Sequence, residues 1–135
     1  MLGPHFEQLA RTWTRWHAGQ TALGGLRTKV SSGTLPDPAN KTGHELDVVA
    51  FGRAPDGRES ILAIGEANSS DIVGRGHLHR LERLRDLLAA RDERAAGPVR
   101  LLLFSGRGFG PELIEEIRDR DDVELVGLDR LYQGS

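Results

Sequence analysis

Between Ser60 and Ala67 the chain reads Ser-Ile-Leu-Ala-Ile-Gly-Glu-Ala, apolar at consecutive positions rather than at alternate ones. A strand of that kind is buried on both faces and needs cover above and below the sheet. Glu45 to Phe51 reads as its partner strand. The intervening Gly52 to Glu59, with Asp56-Gly57 inside it, reads as a hairpin turn. Val99 to Phe104 is a third buried strand. The cover is available as helices. Pro4 suits a first helical turn, and Phe6, Leu9, Ala10, Trp13 and His17 then share one face. Leu78, Leu81, Leu84 and Leu88 form a second stripe, and Pro111 opens a third helix with Leu113, Ile114 and Ile117 as its apolar side. The order is helix, strand, hairpin of two strands, helix, strand, helix, strand. That order predicts an α/β fold with a mixed central sheet flanked by helices.

The weaker segments fill in the rest. Gly19 and the Gly24-Gly25 pair end the first helix, and Leu26 to Val30 reads as a short strand. Ser31 to Gly43 is polar, contains Pro and Gly, and reads as a loop. Ser69 to Gly76 is a polar connection, Gly97-Pro98 stops the Leu-rich helix, and Val123 to Leu128 reads as the last strand. The short tail starts another helix. At 135 residues the chain is one domain's worth. Its abrupt start, with Gly-Pro just before a helical pattern, fits either a very compact protein or a piece of a longer one.

Composition removes several classes of function. There is no cysteine, so disulfides, thiolate zinc sites and a Cys nucleophile are excluded. The formal net charge of -2 is not that of a polycation held to nucleic acid by bulk charge. Of the 18 basic residues, 16 are Arg, leaving Lys29 and Lys41 as the lysines. No apolar run is long enough to span a bilayer and no signal peptide is legible, so the expected address is cytoplasmic, with no membrane partner.

Two acids interrupt the apolar strands. Asp47 sits within Leu46 to Phe51, and Glu66 closes Ile61 to Glu66. Strand alternation puts Glu66 with Asn68 on one face and Glu45 with Asp47 on one face of the neighbour. A carboxylate at the end of a central strand is costly unless compensated. A divalent cation such as Mg²⁺, which takes carboxylate, water and phosphate oxygens, is one compensator. Pairing with arginine is the other, and this chain is rich in arginine.

The run His44-Glu-Leu-Asp47-Val-Val-Ala-Phe51, followed after a turn by Ile61-Leu-Ala-Ile-Gly-Glu66-Ala67-Asn68, resembles the core of the PD-(D/E)XK nuclease superfamily. The Gly3-Pro-His-Phe-Glu7 start and the Leu-Leu-Leu-Phe-Ser105 strand are similar to a narrower group within it. That group is the nuclease-like domains at the C-terminus of archaeal-type P-loop ATPases, which also occur in bacteria. The resemblance implies a restriction-endonuclease-like αβββαβ core and Mg²⁺- or Mn²⁺-dependent cleavage of DNA phosphodiesters. It implies Asp47 and Glu66 as metal-binding acids, Glu7 as an accessory acid on the first helix, and the Ala67 carbonyl as a further metal ligand. Asn68 falls where the family places its lysine. Asn can hydrogen-bond a water but brings no positive charge, so the resemblance implies weakened or lost hydrolysis at this position. Lys41 from the loop before Asp47, or Arg75 from the loop after Glu66, are the substitutes within the chain. The alternative is a non-catalytic nucleic-acid or protein interaction module attached to an ATPase. The resemblance also makes a homodimer a candidate assembly, since many enzymes of the superfamily cut both strands as dimers.

Other residues carry two readings each. His77 and Arg80 lie in the first turns of the Leu-rich helix, close to where the Glu66 strand ends. There they could contact phosphate, or His77 could simply cap the helix. Arg75, His77, His79, Arg80, Arg83 and Arg85 form a local basic patch that could follow a phosphate backbone or be a solvated face with ion pairs. Ser105-Gly-Arg-Gly-Phe-Gly110 has glycines after a strand, yet it fits neither G-x-G-x-x-G nor a P-loop, so no ATP site is expected. It reads as a strand-to-helix turn with Arg107 exposed. Ser69-Ser70-Asp71 is a helix-leading loop, with no G-x-S-x-G elbow in the chain. Of Trp13 and Trp16, one is expected in the core and one at its edge, with base stacking the alternative role.

Overall fold

A computed structural model describes residues 3–16, 27–53, 57–91 and 99–133. Helix α1 (Gly3–Trp16) is followed by β1 (Arg27–Asp37), a 3-10 turn (Pro38–Asn40), β2 (Thr42–Arg53) and β3 (Glu59–Asn68). Then come α2 (Arg75–Arg91), β4 (Arg100–Ser105), α3 (Pro111–Ile117), β5 (Val123–Val126) and α4 (Leu128–Gln133). The strands lie in one sheet in the order β1-β2-β3-β4-β5. β1 pairs antiparallel with β2 and β2 with β3, whereas β3, β4 and β5 are mutually parallel. The protein is therefore mixed α/β, with a mixed sheet flanked by helices.

The apolar runs are continuous because two cores share the sheet. Val49, Phe51, Ile61, Ile64, Leu101 and Leu103 pack under the leucine stripe of α2 and Leu113 of α3. Val48, Ala50, Ala63, Leu102 and Phe104 face the other way, against Phe6, Ala10 and Trp13 of α1 and Leu131 of α4. Successive residues of β4 alternate between these cores, so every residue from Leu101 to Phe104 is apolar and fully buried. Among the described residues no helix is long and apolar enough to cross a membrane.

Three expectations need correction. Ser31 to Gly43 is not a loop. Ser31 to Asp37 continues β1, and Thr42 already belongs to β2. β1 is the sheet edge, where one side of the strand is open. There the polar Ser and Thr are tolerated, and so is Pro36, which removes a donor. Ile114 is not part of the buried stripe of α3; it is 50% exposed. In a helix of seven residues only Leu113 is buried, and Ile117, one turn on, packs beside it. The last strand stops at Val126, and Leu128 instead opens α4, the helix expected of the tail. His17, Gly19, Gly24, Gly25, Leu26, Asp56, Gly97 and Pro98 lie outside the described residues.

At Gly65 there is no room between β3 and β4 for a side chain. A Cβ there would lie 3.0 Å from the Leu102 carbonyl oxygen and 3.3 Å from the Phe104 ring. The first contact is with backbone, which cannot swing aside. Gly65→Ala is expected to cost about 1–2 kcal/mol by overpacking. Chemical denaturation checks this, and an alanine variant as stable as the parent would show that the strands can part at no cost.

Candidate functional site

Asp47 is aimed by an irregularity in the sheet. Ser31 pairs with Val49, but the next pair is Gly33 with Leu46. Two β2 residues, Asp47 and Val48, thus stand opposite the single Ser32, which is a β-bulge. On the other side, the β2–β3 ladder runs only as far as Val48 with Gly65. Where it stops, the Asp47 side chain takes over: the Ala67 amide donates to Asp47 Oδ2 at 2.8 Å. β3 meanwhile continues alongside β4 as far as Asn68. The strand ends therefore separate at Asp47 and Glu66.

Helix α1 supplies the facing wall. Its buried face is Phe6, Ala10 and Trp13, which leaves Glu7 and Arg11 half-exposed on the flank. Arg11 Nη1 donates to the Asp47 backbone carbonyl at 3.0 Å. A shallow acidic cleft of about 200 Å³ opens here between Glu7, Glu45, Asp47 and the β1 residues Ser32 to Thr34.

Glu66 lies on the other side of the strand end. It shares its face with Ile64, under α2, and Arg80 of that helix donates from Nη1 to Glu66 Oε1 at 2.8 Å. A second Arg80 nitrogen reaches the Glu45 carbonyl at 3.4 Å. Glu66 Oε2 is buried and has no hydrogen-bond partner among the described residues. A buried carboxylate oxygen without a donor is costly and points to something that supplies positive charge.

The electrostatics agree. Burial raises the Asp47 carboxyl above its ordinary range and Glu45 adds repulsion, while the Ala67 amide, Arg11 and Arg80 offset part of the rise. Burial also raises Glu66, with Asp47 repelling it and Arg80 and His77 opposing the shift. Glu7 is raised by burial and then by Asp47 and Glu45, against Arg11. These carboxyls resist ionisation chiefly because burial disfavours the charged form, with repulsion from neighbouring acids a smaller contribution. The stability they allow is therefore complete below the ordinary carboxylate range near pH 4 and is lost as pH climbs through their raised folded values. In chelator, the melting temperature is expected to fall as pH rises toward 7. Asp47→Asn keeps an acceptor for the Ala67 amide but removes the charge, and should raise the pH 7 melting temperature by about 2–5 °C. Calorimetry across pH checks this, and a lower melting point for the Asn variant would mean that Asp47 is already fully compensated.

Among the described residues, the trio whose ligand atoms come within 4.8 Å of one another is His79, Glu82 and Glu116, not Glu7, Asp47 and Glu66. The acidic set is thus wider than a closed cage. Mg²⁺ needs only one or two carboxylates and completes its shell with waters. Asp47 and Glu66 would be the acids for such an ion, with carboxyls raised by burial and one Glu66 oxygen without a partner among the described residues, and Glu7 would stand at the rim. Ala67 contributes its amide to Asp47.

Asn68 does something else. Its Oδ1 accepts from the Asp71 amide at 2.9 Å, the Ser70 amide at 3.0 Å and Ser70 Oγ at 3.4 Å. This is an Asx-type turn that ends β3 and starts the loop to α2. Lysine has no acceptor and could not make it. Lys41 does not replace the missing cation. It sits at positive φ in the β1–β2 turn, six residues and about 20 Å of strand from Asp47. Lys29 stands over the Phe51 ring at 4.6 Å.

The basic patch on α2 is largely spent on ion pairs and caps. His77 Nδ1 accepts from the Gly74 amide at 3.1 Å, so this histidine caps the helix start. His79 bonds Glu116, Arg80 bonds Glu66, and Arg85 reaches Asp122 at 2.9 Å and the Val99 carbonyl at 3.1 Å. Arg75 and Arg83 remain exposed to solvent. In the Gly-rich turn, the Ser105 hydroxyl accepts from the Gly108 amide at 2.8 Å, and Arg107 is exposed. The arrangement is a structural strand-to-helix turn. Trp13 is core and Trp16 is 68% exposed.

Arg11 was not singled out from the sequence, and Arg80 reads there as a phosphate contact or part of a solvated face. Arg11 is four positions after Glu7 and shares its helix face, which was a legible signal. The role of Arg80 as the counter-ion of Glu66 was not, because the pairing depends on where α2 crosses the sheet.

Compared with known proteins, the chain matches no protein-family profile, no curated protein and no solved structure.

Proposed function

We propose that the chain is a Mg²⁺-dependent DNA phosphodiesterase of the PD-(D/E)XK type, with its restriction-endonuclease-like core formed by α1, the three antiparallel strands, α2 and β4. The observation that carries this reading is Glu66 Oε2, buried and unpartnered at the strand end beside Asp47. Asp47 and Glu66 would hold the ion and Glu7 would face it across the cleft. A divalent ion there supplies a nucleophilic water and neutralises a phosphoryl oxygen. The chain's own groups do the rest. The Ala67 amide and Arg11 fix Asp47 in place. Arg80 holds Glu66 through one of its oxygens. Asn68 ties down the loop that carries the chain into α2.

The same contacts favour a second reading. Arg80 already neutralises one Glu66 oxygen, and Asn68 is committed to its turn. Both suit a domain that binds nucleic acid or protein as part of an ATPase and no longer cuts. The experiment is a Mg²⁺ and Mn²⁺ titration with plasmid, linear and single-stranded DNA, read on gels. Cleavage that needs the ion supports the first reading, and neither ion binding nor cleavage defeats it. DNA affinity that falls steeply with salt, and falls again in Arg75→Ala and Arg83→Ala, supports the second. Absent or salt-insensitive binding defeats that one.

A further inference from the structure

A second cluster lies on the outer surface of the helical layer. His79 and Glu82 are one turn apart on α2, and Glu116 projects from α3 beside it. Their ligand atoms all fall within 4.8 Å of one another. His79 Nε2 is 3.0 Å from Glu116 Oε2 and 3.3 Å from Oε1. Metal–ligand bonds of about 2.0 Å in a tetrahedron place neighbouring ligand atoms about 3.3 Å apart. One edge of that tetrahedron is already present, and closing the others takes side-chain movement of an ångström or so.

The cluster also has a built outer shell. Arg120 Nη1 donates to Glu82 Oε2 at 2.9 Å. Its Nε and Nη2 clamp both oxygens of Asp122, each at 2.9 Å, and Asp122 in turn receives Arg85. These cations hold the Asp122 carboxyl far below its ordinary range. Glu82 is thereby oriented through one oxygen and keeps the other for a ligand. Outer-shell groups that fix first-shell carboxylates in this way are typical of metal sites. The side chains of His79, Glu82 and Glu116 are 47%, 30% and 29% exposed, which leaves an entry path and a fourth position for water.

We propose that His79, Glu82 and Glu116 form a site for a divalent transition ion of the zinc type, pinning α3 to α2. The imidazole sets the class, because nitrogen ligands favour Zn²⁺ over Mg²⁺. The site is separate from the acidic cleft and does not depend on the nuclease reading.

The test is Zn²⁺ binding to the full chain, by competition with a chromophoric chelator, alongside thermal denaturation. One Zn²⁺ per chain should bind at least a hundredfold tighter than Mg²⁺ and raise the melting temperature. His79→Ala and Glu116→Gln should each weaken Zn²⁺ at least tenfold. His79 is exposed and Glu116 partly so, so the variants should fold, and their metal-free melting curves verify that. Asp47→Ala should leave Zn²⁺ binding unchanged. The proposal is overturned if no saturable Zn²⁺ binding occurs. It is overturned equally if His79→Ala and Glu116→Gln bind as the parent does, or if Asp47→Ala removes the site.

Discussion

For the phosphodiesterase proposed above, Asp47→Ala is expected to reduce Mg²⁺-dependent DNA cleavage by about a thousandfold, since an ion that neutralises transition-state charge contributes several kcal/mol and each 1.36 kcal/mol is a factor of ten. The loss should have two parts. The substitution removes a carboxylate from the cleft, and it frees the Ala67 amide, which now donates to Asp47 Oδ2 at 2.8 Å. Asp47→Asn separates these parts, since it keeps an acceptor for the amide and lacks the charge. If charge is what matters, both variants lose cleavage to a similar degree. If the amide contact matters more, Asn retains most of the rate. Stability should move the other way, because burial makes the ionised Asp47 carboxyl costly in the folded protein and Glu45 adds repulsion. A variant that melts higher and cuts less is the signature of a site held against its own electrostatics. Initial rates at saturating Mg²⁺ measure the first effect. Parent-like cleavage by Asp47→Ala would remove this residue from the mechanism.

Different parts of this architecture were legible to different degrees. β3 and β4 were plain because burial on both faces leaves an unbroken apolar run, whatever the neighbours are. The later part of β1, from Ser31 to Asp37, was hidden because β1 is an edge strand. Val30 and Leu35 point into the cores, but Ser31, Ser32 and Thr34 between them and Pro36 after them carry the composition of a loop. The acids Asp47 and Glu66 stood out as charges within apolar strands. Their aim did not, since the bulge at Asp47 and Val48 is a property of pairing with residues 31–33 of β1, which read as loop in the sequence. Asn68 illustrates the converse. Its replacement of lysine reads as a chemical loss along the chain. In the fold it is an acceptor with three donors gathered around it. The α2 arginines and histidines looked like one patch because they are close in sequence. A helix distributes such residues around its axis, so Arg80, His79 and Arg85 reach Glu66, Glu116 and Asp122 in different directions.

Trp13→Ala should be the most destabilising single change in α1, costing about 3–5 kcal/mol. The indole is 1% exposed and meets Phe104 edge-on, with ring centroids 5.8 Å apart, while the Arg130 guanidinium lies 5.1 Å from its ring. It is the largest side chain in the core that joins α1 to the sheet. For a domain of this size the cost is a drop in melting temperature of roughly 10–15 °C. Trp13→Phe should cost far less, about 1 kcal/mol. Phe keeps most of the apolar contact, and it removes an indole N–H that is buried without a partner among the described residues. Function should follow packing, because α1 also carries Glu7 and Arg11, the latter bonded to the Asp47 carbonyl at 3.0 Å. An α1 loosened by the alanine variant would move the wall of the acidic cleft, so Mg²⁺ affinity should fall in Trp13→Ala and survive in Trp13→Phe. Urea denaturation and Mg²⁺ titration of the same samples test both halves. If Trp13→Ala cost less than 1 kcal/mol, α1 would be held by something other than this core. If the variant lost stability yet bound Mg²⁺ as before, the ion would be held without α1, and Glu7 would have no part in the site.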